Sequence, residues 1–110
     1  MKVALYARVS SDKQDVDLSV SAQLRALRDY AKRNQYQIVD EYIDEAETGR
    51  SVARSGFKRM VSTAKQPDKP FDMVLVYKYS RFARNRQDSI VYKAMLRKAG
   101  VQVVSITEAF

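Results

Sequence analysis

The stretch Phe71-Asp72-Met73-Val74-Leu75-Val76-Tyr77 decides the architecture. At its centre Met73-Val74-Leu75-Val76 is apolar at four consecutive positions, so neither face of an extended segment there is suited to water. That is the signature of a central strand in a parallel sheet with helices on both faces. Lys2 to Val9, Ile38 to Ile43 and Val101 to Ile106 read as further strands. Between them lie amphipathic helices. Val20, Leu24, Leu27 and Ala31 fall on one helical face behind the candidate cap Ser19. Phe57, Met60, Val61 and Ala64 repeat that stripe after Gly56, and Ile90, Val91, Ala94 and Met95 mark a third helix from about Asn85 to Gly100, a candidate C′ residue. The alternation specifies an α/β fold, a three-layer sandwich with a mainly parallel sheet of four or five strands. The segments Asp12 to Leu18 and Asp44 to Ser55 read as long polar loops.

Composition narrows the chemistry. The 110 residues and 12.6 kDa suit one domain with one core. No apolar run approaches the about 18 residues of a membrane span, and Arg8 arrives too soon for a secretory signal, so a cytoplasmic protein is expected. With neither cysteine nor histidine, the chain has no disulfide, thiolate nucleophile, imidazole base or ordinary zinc site. The net charge is +7, and the excess is asymmetric: residues 1–55 hold nine basic and nine acidic side chains, residues 56–110 eleven and four. Between Lys78 and Lys98 the basic residues Lys78, Arg81, Arg84, Arg86, Lys93, Arg97 and Lys98 face only Asp88. A polyanionic partner fits that distribution, although basic residues also solvate the outer faces of helices.

Ligands of open α/β sheets gather beyond the carboxyl ends of the strands, so the residues that close strands one and three should share a crevice. In the first strand Tyr6, Arg8 and Ser10 project to one face, and Val3, Leu5, Ala7 and Val9 to the other. A guanidinium in an apolar strand is costly unless it meets an anion, since it cannot shed its charge. Arg8 therefore calls for a ligand anion or a structural carboxylate such as Asp44. The third strand delivers Lys78-Tyr79-Ser80-Arg81-Phe82-Ala83-Arg84-Asn85. One helical turn there would put Arg81 and Arg84 on one side, and with Arg8 they would form a cage for one phosphate. Arg54 is a candidate fourth member from the long loop, where Arg54 and Arg50 otherwise read as solvated charges. No Gly-rich phosphate loop or metal-binding carboxylate cluster accompanies the cage, so nucleoside triphosphate hydrolysis is not expected. A hydroxyl among arginines is a constellation for attack on a phosphodiester, and Ser10 is the best-placed hydroxyl. The base that would activate it is unassigned.

Tyr6-Ala7-Arg8-Val9-Ser10 followed by Asp12-Lys13-Gln14, with Lys78 to Asn85 and Ser105-Ile106-Thr107-Glu108, resembles the catalytic domain of serine recombinases, the resolvase and invertase family. The similarity is greatest to the large serine recombinases, which include phage integrases and transposon recombinases. The resemblance covers almost the whole chain and implies a resolvase-like fold and site-specific cutting and rejoining of double-stranded DNA, with a 5′-phosphoserine intermediate on Ser10 and no cofactor. It assigns Arg8, Arg54, Arg81 and Arg84 to the phosphate and Tyr6, Gln14, Gln23, Asp44, Thr48 and Ser80 to supporting positions. Lys78 and Arg86 are expected to contact DNA. Thr48 stands where many relatives have serine, and Ser80 where the smaller resolvases have aspartate, which leaves the proton donor to the leaving oxygen unassigned. Family members continue into a long helix and DNA-binding domains. Residues 1–110 thus read as a truncated catalytic domain, inactive alone and monomeric or weakly dimeric, whose full-length parent works as a dimer or tetramer. A basic nucleic-acid-binding module without catalysis is the alternative, and a flavodoxin-like binder of a phosphorylated ligand is disfavoured because Arg8 to Asp12 contains no glycine.

Overall fold

A computed structural model of the chain describes residues 1–9, 19–45, 55–83 and 86–108. Eight elements follow in order: β1 (Lys2–Val9), α1 (Val20–Arg33), β2 (Gln37–Glu45), α2 (Ser55–Ala64), β3 (Met73–Val76), α3 (Tyr79–Phe82), α4 (Arg86–Lys98) and β4 (Gln102–Ser105). The four strands form one sheet in the order β2-β1-β3-β4, with every neighbouring pair parallel.

Alternation along β1 builds the two cores. Val3, Leu5 and Ala7 pack with Leu24, Leu27 and Ala31 of α1, and with Met73 and Leu75 of β3, on one face. Ala4 and Tyr6 join Phe57, Met60, Val61 and Ala64 of α2, Phe82 of α3 and Leu96 of α4 on the other. Right-handed crossovers require this division: the chain moves one way from β1 to β2, then back across β1 to β3 and β4, so the first helix and the later ones cover opposite faces. All four residues of β3 are buried, as its sequence implies for a strand covered on both sides.

Local signals set the helix ends. Ser19 has extended backbone, and its hydroxyl accepts from Ala22 N at 3.2 Å, capping α1. At the end of α4, Gly100 has φ of +83° and donates its N–H to Arg97 O, while Val101 N donates to Leu96 O. Leu96 and Val101 are both buried in the same core, which completes a Schellman stop with its apolar contact. The same pattern ends α1, where Gln35 at φ of +59° and Tyr36 donate to Lys32 O and Ala31 O.

Two expectations change. Asp44 lies within β2, not in a loop, because its carboxylate is buried and fully occupied, so the strand continues through Glu45. The segment after β3 turns at once into α3, and Ala83 is extended (φ −137°, ψ 154°). The helical turn that carries Arg81 therefore ends at Phe82. Among the described residues, no helix is long and apolar enough to cross a membrane.

Candidate active site

The strand order reverses at β1, which lies between β2 and β3, and the crevice beyond the carboxyl ends of β1 and β3 is where such sheets bind ligands. In register, Tyr6 stands opposite Val76, the last residue of β3, whereas β1 continues to Val9. Arg8 thus projects past the end of β3 and over α3. Its Nη2 donates to Ser80 O at 2.8 Å and its Nε to Arg81 O at 3.3 Å. Neither a ligand anion nor Asp44 is the guanidinium's partner in these two bonds. Main-chain carbonyls at the end of a helix, with partial negative charge, fill that role for the half-buried arginine.

Asp44 is used elsewhere. Opposite Arg8 in the β1–β2 register and only 4% exposed, it accepts from the Tyr6 hydroxyl at 2.7 Å, from Gly56 N at 2.8 Å and from Phe57 N at 2.9 Å. The carboxylate caps the N-terminus of α2 and ties it to β1 and β2. Gly56 is needed for that approach, because a Cβ there would lie 2.7 Å from Ile43 O and 3.0 Å from the Asp44 carboxylate. From the opposite face of the sheet, buried Gln23 of α1 donates from Nε2 to Arg8 O at 3.1 Å, holding the main chain of β1 near its exit.

The turn bearing Arg81 is anchored as firmly. Phe82 is fully buried with its ring 5.2 Å from that of Phe57, and Arg81 itself is 5% exposed. After β4, Ser105, Thr107 and Glu108 reach back to the start of α3. Glu108 Oε1 accepts from Tyr79 N at 2.7 Å and from the Ser105 hydroxyl at 3.0 Å, and Thr107 donates to Tyr77 O at 2.7 Å. Lys93 of α4 sets its ammonium 3.7 Å from the centre of the Tyr79 ring. Lys78 and Ser80 are exposed beside them, and exposed Arg86 lines an adjoining groove of about 440 Å³ with Tyr79, Ser80 and Lys93.

Of the residues expected at the site, Tyr6, Arg8, Gln23, Asp44, Ser80 and Arg81 converge on the carboxyl end of β1. Ser10, Gln14, Thr48, Arg54 and Arg84 lie outside the described residues. Sequence reasoning missed the backbone amides of Gly56 and Phe57 and the backbone acceptors of Arg8, which no side-chain motif announces. It did quote Ser105 to Glu108, but without a partner.

The resolvase N-terminal domain family matches residues 3–110 of this sequence. The chain belongs to that family. The resolvase domain is also similar to solved structures. The N-terminal catalytic domain of TP901-1 integrase is 31% identical with a TM-score of 0.85, over 100% of this chain and 80% of that one. A resolvase family site-specific recombinase from Streptococcus pneumoniae is 35% identical with a TM-score of 0.88, over 100% and 74%. The C-terminal catalytic domain of ISC1926 TnpA, an IS607-like serine recombinase, is 25% identical with a TM-score of 0.76, over 96% and 70%. No curated protein matches. The fold and these likenesses make the resolvase domain a site-specific recombinase catalytic domain of the serine type, and the family acts on DNA.

Proposed function

We propose that the resolvase domain cuts and rejoins double-stranded DNA through Ser10. The Ser10 oxygen attacks a backbone phosphorus, a serine–phosphate bond forms, and the bond from phosphorus to the 3′ oxygen breaks. The serine proton passes to an unassigned base, and the departing oxygen takes up a proton to become a 3′-hydroxyl. Rejoining is the reverse attack by a 3′-hydroxyl of an exchanged strand. Bond energy is held in the phosphoserine, so the step needs no nucleotide cofactor. Arg8, Arg81, Arg84 and Arg54 stabilise the charge that builds on the phosphoryl oxygens. Tyr6, Gln14, Gln23, Asp44, Thr48 and Ser80 support them, while Lys78 and Arg86 hold flanking phosphates. Four strands are cut in exchanging two duplexes, so four serines and a tetramer of the full-length protein are required. We assign the enzyme to the cytoplasm.

One observation carries this reading: Arg8 from the end of β1 is hydrogen-bonded to the turn that carries Arg81, at the switch point of the sheet. Two motifs more than seventy residues apart in sequence meet where the phosphate would sit.

The test uses full-length recombinase and a suicide DNA substrate that traps the covalent adduct. Ser10→Ala abolishes the adduct and Ser11→Ala retains it. Arg81→Lys also fails, because an ammonium cannot supply two parallel hydrogen bonds to one phosphate. An adduct that survives Ser10→Ala reassigns the nucleophile. A folded full-length protein that forms no adduct is a nucleic-acid-binding module instead.

A further inference from the structure

Ser105, Thr107 and Glu108 lie outside the chemistry just described, yet all three side chains bond to the segment that introduces the arginine turn. The helix α3 has only four residues, so it contributes little hydrogen bonding of its own and depends on its surroundings for position. The N–H of its first residue, Tyr79, needs an acceptor from elsewhere, and the preceding residue cannot provide one, since a lysine side chain has only donors. Glu108 supplies it from the turn after β4, at 2.7 Å.

The carboxylate is itself held. Ser105, 3% exposed, shares its hydroxyl proton between Glu108 Oε1 at 3.0 Å and Tyr77 O at 3.2 Å, and Thr107 adds a 2.7 Å bond to the same carbonyl. The backbone of Tyr77 and Tyr79 is thereby fixed to β4 on both sides of Lys78. The next two residues, Ser80 and Arg81, carry the carbonyls that accept from Arg8. A shift at the start of α3 therefore displaces Arg81 and both acceptors of Arg8 together.

We infer that Glu108, oriented by Ser105 and Thr107, is a positioning residue that caps α3 from across the sheet and sets the spacing of Arg81 and Arg8 at the phosphate. This rests on the proposed reading of the site. Glu108 itself does not touch the substrate in this scheme.

The test has three readouts on the full-length recombinase: single-turnover cleavage of the suicide DNA, affinity for the same DNA, and hydrogen exchange of the Tyr79 amide. In Glu108→Ala the Tyr79 amide loses protection and cleavage slows about 10–100-fold, the scale expected for a misplacement near 1 Å, while DNA affinity is kept. Glu108→Gln retains an amide oxygen that accepts the Tyr79 N–H, so it restores protection and most of the rate. Thr107→Val, isosteric and exposed, reproduces a milder loss of rate if Glu108→Ala folds poorly. Unchanged Tyr79 protection in Glu108→Ala, or cleavage by the folded Glu108→Ala and Thr107→Val proteins at the wild-type rate, overturns the inference. Slower cleavage by the folded Glu108→Ala protein with DNA affinity kept excludes a merely structural role, which would lower stability without slowing the folded fraction. Ser10→Ala separates the two claims: its continued cleavage defeats the site reading, whereas Tyr79 protection still decides the capping role.

Discussion

Asp44 shows how much one buried side chain can organise. Its oxygens receive a phenol hydroxyl and two backbone N–H groups from two other segments of the chain. Asp44→Asn keeps the shape but exchanges one acceptor for a donor that faces other donors. A loss of about 2 kcal/mol is expected, read as a lower urea midpoint with unchanged slope. Tyr42, 2% exposed, yields a second prediction at this scale. Burial pushes its phenol above the ordinary value of 10.0. Above about pH 10 the unfolded chain gives up that proton before the folded one does, so the unfolded state binds fewer protons and stability falls as pH rises. The urea midpoint should decline more steeply above pH 10 in the wild type than in Tyr42→Phe. At this scale the sequence was readable for types and faces: Tyr6 and Arg8 do project together from β1. It was unreadable for partners. The bonds of Asp44 reach residues 12, 13 and 38 positions away, and those of Arg8 end on carbonyls that every residue possesses.

Elements were legible wherever a periodic pattern ran long enough to bury a face. The stripe Val20, Leu24, Leu27, Ala31 and its serine cap gave α1, and Gly100 gave the end of α4. By contrast α3 spans a single turn, too short for any period to appear, and its place is fixed by Phe82 in the core and Glu108 from β4. Gln35 offers a test of what ends a helix. It holds a left-handed backbone at φ of +59° in the position Gly100 occupies at the end of α4. Gln35→Gly removes the Cβ strain at some cost in unfolded-state entropy, so a net gain of about 0.5–1 kcal/mol is expected in thermal or urea unfolding. A loss of stability there would mean that the glutamine side chain contributes packing that outweighs its backbone strain.

For the molecule as a whole, charge and topology act together. The basic excess falls in residues 56–110, which include α3 and its arginine. Binding to DNA through such groups releases counterions and must weaken as salt rises. In the proposed reading Arg86, exposed and lining one groove with Ser80, holds one phosphate. Arg86→Gln should therefore weaken duplex binding alike for all sequences and reduce the slope of log affinity against log salt by about 0.9; an unchanged slope removes Arg86 from the interface. Topology has a consequence for how the protein is made. The acceptors of Arg8 follow it by 72 and 73 residues, and β3, which sits beside β1, comes after β2 in the chain. During translation the ribosome therefore releases Arg8 long before the carbonyls that receive its guanidinium. Under the proposed mechanism, an unfinished polypeptide that stops before β3 carries its serine without an assembled phosphate pocket.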